Sequence, residues 1–397
     1  MDHIAYQDRL RRVLLNREAA FPDAEFDRRG QALDRQLEAA GLDALLITQP
    51  ADIYYLTGYN TFEVSVHTAL VYSPGRRVLQ VPSIETGPAV ACARCEEILG
   101  YRWEGPEEIV EPLADILAAA GNRIGIDAWG AGLRHGIVEG LRQRLGRAEL
   151  VDASGLLAPV KRIKSELEIA CLERSARITE AGVAAARARV EPGVTDNDVA
   201  AAAAAAMLSA GTEFMSMQPI VVAGLRSSII HTNHRRFPIA AGEPVFIELG
   251  AAFERYTAPL MHTLVAGSAV PDDRMRRVAD IGHQVYTAVT EAMIPGNSFD
   301  QAARKAEEAL APLADDVFFS GVFGYTVGAQ FPPSWVEGSG FIARGQQALF
   351  EPNMVFHLPL CLRIPGHWGI GFSETVRVTA RGAEPLTRNS WVLQPSE

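Results

Sequence analysis

The chain has 397 residues, 48% of them hydrophobic and 21% charged, which suits one large domain or two ordinary ones around a full core. Its net charge of −11 argues against nucleic acid or an anionic membrane surface as partner, since both select a basic face. No uncharged apolar window of about 18 residues occurs, MDHIAYQDRLRR lacks the basic-then-apolar form of a signal peptide, and the chain reads as cytoplasmic.

In chain order, EFDRRGQALDRQLEAAGLD (25–43) has helical spacing and ends at a glycine, and ALLITQP follows as a buried strand. TALVYSP and RRVLQVP read as strands around a turn at Pro74 and Gly75. Cys92 and Cys95 form a CxxC, but Cys171 and Cys361 are lone, so no second pair completes a zinc site and inert buried thiols are expected. Helical stretches near 106–120 and 131–146 flank the short strand RIGIDA, and this alternation makes 1–158 an α/β domain.

From 159 to 397 the pattern changes to α+β. Ser165 with Glu166 and Glu168 starts a long helix of capping type that Pro192-Gly193 stops, and an alanine-rich helix covers 198–210. MQPIVVAG, EPVFIELGAAF and PLMHTLVAG are strands, helices follow at 271–294 and 299–313, and NMVFHLPLCLRI, GIGFSETVRVT and SWVLQP return to strand.

Five motifs follow one another in a familiar order: VVAG…HTNHRRFPIAAGEPVFIELG…RYTAPLMHT, FGYTVGAQFPPSW, LFEPNMVFHLP and FSETVRVT, with IYYLTGYN before them. Together they resemble the creatinase/aminopeptidase P/prolidase superfamily over nearly the whole chain. The resemblance implies a pita-bread catalytic domain behind a smaller N-terminal α/β domain. The metalloenzymes of that superfamily hold two divalent ions with two aspartates, a histidine and two glutamates. In this sequence those five positions fall on Glu248, Pro259, Tyr325, Pro359 and Ser373, with Glu374 next to the last. Two divalent cations need several carboxylate oxygens, and one carboxylate cannot neutralise them, so no metal and no other cofactor is expected. Within the superfamily the likeness is nearest to the metal-independent ectoine hydrolases, which open a small zwitterionic cyclic amidine. His262 stands where that subgroup is expected to carry an arginine.

The chemistry expected of the site starts at Glu248, a carboxylate at the end of the apolar run PVFI, able to attack an amidine carbon or to activate water. Its alternative is a structural pair with Arg255 or Arg226. The superfamily pattern turns the residue at the His231 position toward substrate, as a proton shuttle, while His234 reads as a solvated loop histidine. Tyr256, Tyr325 and His357 line the pocket or pack in the core, and Glu374 is a second cleft carboxylate or a salt-bridged one. Trp335 and Trp368, each flanked by proline or glycine, are expected on loops, either as an aromatic wall for a cationic ligand or as ordinary packing. Dimerisation of the superfamily type implies a homodimer in which Phe62, Glu63 and His67 complete the partner's cleft. The expected activity is hydrolysis of a non-peptide C–N bond in a small zwitterionic or cationic substrate. A guanidino-acid amidinohydrolase, a lyase of small zwitterions and an inactive binding module are its rivals.

Overall fold

The computed structural model describes residues 2–14, 16–105 and 107–396. They divide into two compact units, Met1–Val160 and Lys161–Glu397.

The first unit is built on one six-stranded sheet: β1 (Ala44–Ile47), β2 (Ala69–Ser73), β3 (Arg76–Pro82), β4 (Glu97–Tyr101), β5 (Arg123–Ile126) and β6 (Glu149–Asp152). Their order is β4-β3-β2-β1-β5-β6. β1, β2 and β3 pair antiparallel, whereas β4, β5 and β6 join in parallel, which requires the intervening helical crossovers. Two apolar clusters pack on the two sides, one around Leu45, Ile53 and Leu79, the other around Leu46, Val71 and Leu117. The helix expected near 106–120 runs Glu107–Ala120, and Pro106 lies outside the described residues. IYYLTGYN is largely helical, within Pro50–Thr57, and ends at Gly58, whose φ of 77° closes the helix in the left-handed region.

In the second unit the helices Glu166–Arg189 and Asp196–Ser209 each begin with a reciprocal capping box, Ser165 with Glu168 and Thr195 with Asp198. They cover one face of a three-stranded antiparallel sheet of β7 (Ile220–Ala223), β8 (Pro244–Leu249) and β11 (Leu260–Val265), with β8 central. Between β8 and β11 lies the small hairpin of β9 (Ala252–Phe253) and β10 (Tyr256–Thr257). After the helices Asp273–Ala292 and Phe299–Leu310 come β12 (Gly324–Val327), β13 (Val336–Ile342), β14 (Val355–His357), β15 (Leu360–Ile364), β16 (Trp368–Phe372), β17 (Thr375–Thr379) and β18 (Gly382–Pro385). They form a five-stranded sheet, β13-β12-β14-β17-β18, and the separate hairpin β15–β16.

Three expectations are corrected here. Tyr325, which the glycines of FGYTVG would place at a backbone turn, lies within strand β12; Trp368 opens strand β16 and is partly buried; and SWVLQP forms no strand beyond one bridge from Pro395 to Val265.

Candidate active site

Strand parity decides which side chains can meet. On β8, Val245, Ile247 and Leu249 face the two capped helices, so Phe246 and Glu248 face the other way. Met261 of β11 is the cross-strand partner of Glu248 and shares its face. Phe246 and Met261 pack there with Ile220, Val222, Ile230 and Cys361, so the carboxyl stands in apolar surroundings.

Glu248 is only 3% exposed, and no described residue donates a hydrogen bond to it or pairs with it. Burial alone pushes its carboxyl up to about 8. Neither cation offered by the sequence is its partner. Arg255 is buried between the rings of Phe214 and Phe331 and bonds Phe214, Ser216 and Gln330. Arg226 lies over Phe237 and donates to the Asn233 carbonyl.

Beside Glu248 lies a closed set of hydrogen bonds. The Ser373 hydroxyl meets the backbone N–H of Met261 at 2.6 Å and His357 Nε2 at 2.7 Å. His357 Nδ1 meets the Tyr325 hydroxyl at 2.8 Å, and the Trp335 indole N–H donates to that same oxygen at 2.9 Å. Burial, and after it the Glu248 charge, raise the Tyr325 phenol well above its usual range. Burial brings the His357 imidazole down to about 3, so the ring is neutral. Cys361 is also held up by burial and by Glu248, and its thiol points to the Met261 sulfur at 3.4 Å.

The structure therefore brings Glu248, Tyr325, Trp335 and His357 together. Trp335 is 1% exposed, a packed wall rather than an open loop residue, and its ring lies so close to Gly250 that a Cβ there would stand 2.9 Å from it. The other candidates go elsewhere. Tyr256 is buried and bonds Glu168 of the Ser165 capping box. His262 follows Met261 and so faces away from Glu248; its Nδ1 meets Asn389 at 2.8 Å, and burial brings it down to about 4. Glu374 likewise points away from Ser373 and accepts from Tyr286, Trp391 and the Asn389 backbone, so it is a structural carboxylate raised mainly by burial. Trp368 packs against the core around Phe372. His231 is exposed, but the preceding Ile230 is buried in the Phe246–Met261 cluster and holds this segment at the Glu248 face. Ile230 has a φ of 64°, a costly conformation for a β-branched residue.

In the first unit Phe62 is 77% exposed, while Glu63 accepts from the Ser65 backbone. His67 is buried against Gln80, with its carbonyl taken by Tyr101 and its ring brought down to about 4. That burial inside its own unit corrects the expectation that its side chain is free for a partner's cleft.

Sequence reasoning gave Ser373 no role beyond a lost ligand position. The register decides it: His357 pairs with Thr375, which puts Ser373 on the side of His357 and turns Glu374 away. Asn389 was missed outright. Its amide donates to the Met261 and Ser373 carbonyls, and nothing local in RNS announces that.

Antiparallel sheets and helices around such a cluster, preceded in the chain by an α/β unit, are an arrangement of pita-bread type. The model of metallopeptidase family M24 matches residues 170–380, more than half of the chain, and that of the creatinase/prolidase N-terminal domain matches 29–163. The chain belongs to metallopeptidase family M24. It is 28% identical to an uncharacterized hydrolase/peptidase of Sinorhizobium fredii, over 93% of this chain and 96% of that one. It is 23% identical to a Xaa-Pro dipeptidase of Pyrococcus horikoshii, over 89% and 94% of the two chains, and 22% identical to the ectoine hydrolase of Halomonas elongata, over 88% and 92%. Among solved structures, the prolidase of Thermococcus sibiricus superposes with a TM-score of 0.82 at 18% identity, over 93% of this chain and 99% of that one. That likeness is one of fold.

The family name implies a metal, and the residues present do not suit one. Glu248 is the sole carboxylate of the cluster, and Tyr325 and Ser373 are already engaged by neighbouring side chains. Pro259 and Pro359 bring no donor. Among the described residues no three His, Cys, Asp or Glu side chains converge. Such a set lacks the negative charge that two divalent cations require.

Proposed function

We propose that this chain is a metal-independent hydrolase of a C–N bond in a small cationic or zwitterionic cyclic amidine, of the kind an ectoine hydrolase opens. One observation carries the reading: Glu248 is a buried carboxyl with no cation beside it among the described residues. A carboxylate held in that state is costly, and a ligand that brings its own positive charge relieves the cost. An amidinium does so and presents an electrophilic carbon to the same oxygen atoms. Once the cation binds, Glu248 is held ionised and takes a proton from water, or attacks the amidine carbon itself. Trp335, Met261 and Cys361 supply the apolar wall, and His231 stands on the segment anchored at Ile230.

A homodimer that sets the exposed Phe62 at the partner's cleft belongs to the same reading. A peptidase reading follows from the dipeptidase relative but requires the metal that the donor set does not suit.

The experiment is ring opening of ectoine and hydroxyectoine, followed by NMR with chelator-treated protein and with Glu248→Gln beside it. Turnover by the chelated wild type, lost in Glu248→Gln, is expected. Activity that returns only with manganese or zinc would overturn the reading, and urea released from a guanidino acid would transfer it to an amidinohydrolase.

A further inference from the structure

We propose that Tyr325 is the proton donor to the departing nitrogen, its hydroxyl turned toward the Glu248 side by a one-way chain of hydrogen bonds. The chain starts at the backbone and passes through Ser373 and His357. This rests on the C–N hydrolysis reading and goes beyond it by assigning the acid.

The direction of the chain follows from which atoms can only donate. The Met261 N–H can only give to Ser373 Oγ, and the Trp335 indole N–H can only give to Tyr325 oxygen. His357 is neutral, so it carries one proton on one of two nitrogens. With the proton on Nε2, Ser373 oxygen accepts from both Met261 and His357, and its own proton is left without an acceptor at a fully buried position. That is the expensive state for a buried polar group. With the proton on Nδ1, the fully buried Ser373 hydroxyl is satisfied and the one proton without an acceptor moves to Tyr325. Ser373 gives to Nε2, Nδ1–H gives to Tyr325, and Tyr325 oxygen receives two N–H donors. Its own proton is then left free, on a residue that is only partly buried and whose phenol feels the Glu248 charge. Burial keeps the phenol protonated at rest, as an acid must be, and an ionised Glu248 acts in the same direction. Two N–H groups on its oxygen stabilise the negative charge that develops when the proton leaves.

The step balances within the site. Water adds to the amidinium carbon and gives a proton to Glu248. Tyr325 passes its hydroxyl proton to the departing nitrogen as the C–N bond breaks. The phenolate recovers a proton from the hydroxyl of the collapsing carbon, which becomes the amide carbonyl, and the Glu248 proton leaves with the amine. Ser373 and His357 act through Tyr325 and are positioning residues.

The test has two readouts on the full chain. In protein labelled with ¹⁵N-histidine, the signals lost in His357→Gln identify the ring, and its proton is expected on Nδ1. A proton on Nε2 would overturn the chain. With ectoine as substrate, Tyr325→Phe is expected to lower kcat by about 100- to 10,000-fold, the range for a general acid. KM should stay within about threefold, since the group acts in the transition state. A kcat within about threefold of wild type would overturn the role of Tyr325 as the acid. Should the wild type open no cyclic amidine, the substrate reading fails and the assignment of the acid falls with it. The tautomer then still decides the donor chain.

Discussion

At the scale of single residues, the decisive quantity is the charge state of Glu248. Its carboxyl titrates near 8 because nothing solvates it, not because an acid stands beside it. A base acts in its ionised form, so log kcat/KM for a cyclic amidine should rise with unit slope from about pH 6 and level above about 8. A bound cation favours the carboxylate and moves the corresponding limb of kcat to lower pH. The measurement is a pair of pH–rate profiles on one preparation. A kcat/KM profile flat between pH 6 and 9 would remove Glu248 from the role of base. The same residue shows why sequence alone stopped short. PVFI marks a buried strand and Glu248 its odd member, which was legible. That Arg255 is consumed by Phe214, Ser216 and Gln330 was not, because those partners are contributed by segments far apart in sequence.

At the scale of elements, β16 holds the site together by lying unusually close to its neighbours. A Cβ on Gly371 would stand 2.2 Å from the Phe246 ring, and one on Gly369 would stand 2.2 Å from the Ser227 carbonyl. The hydroxyl of Thr263 on β11 meets both the N–H and the C=O of Gly371 at 2.9 Å. That approach lets Ser373, just past the strand end, reach Met261 and His357. Gly371→Ala should therefore destabilise the second unit by about 1–3 kcal/mol, an overpacking cost. Because Phe246 and Glu248 share a face, it should also lower turnover; urea unfolding and activity at one pH check both, and an unchanged midpoint would refute the packing argument. Most element types were readable from periodicity and Ser165 marked one helix start, whereas the Thr195–Asp198 box starts the alanine-rich helix at Asp196, ahead of the 198 that composition alone gives. The failures were of parity and context. Ser373 and Glu374 are adjacent, so only one can face His357, and the choice depends on the β14–β17 register rather than on either residue. Trp335 sits among prolines and a serine that look like an open loop, yet it is buried against Gly250.

At the scale of the whole molecule, its buried ionisable groups set opposing demands on pH. His67, His262 and His357 are brought by burial from 6.5 to about 4, 4 and 3. Below 6.5 the unfolded chain binds protons that these folded sites refuse, so they make stability rise with pH up to that point. Glu248, raised from 4.5 to about 8, acts the other way. Below 4.5 it is protonated in both states; above it the unfolded chain releases the proton first, and stability is lost as pH rises toward 8. Each fully developed difference of one proton is worth about 1.4 kcal/mol per pH unit. Between 4.5 and 6.5 three histidines oppose Glu248 and the lesser upward shifts of Glu374 and Glu254, and stability should climb. Above 6.5 Glu248 acts without them, and stability should fall. The thermal midpoint should thus peak near pH 6.5, and Glu248→Gln should flatten the fall on the alkaline side while leaving the acid side as steep or steeper. Scanning calorimetry of both proteins from pH 4.5 to 8.5 checks this. An alkaline limb that survives Glu248→Gln unchanged would show that the carboxyl is solvated or paired in the folded chain, and would remove the physical basis for a cation as its ligand.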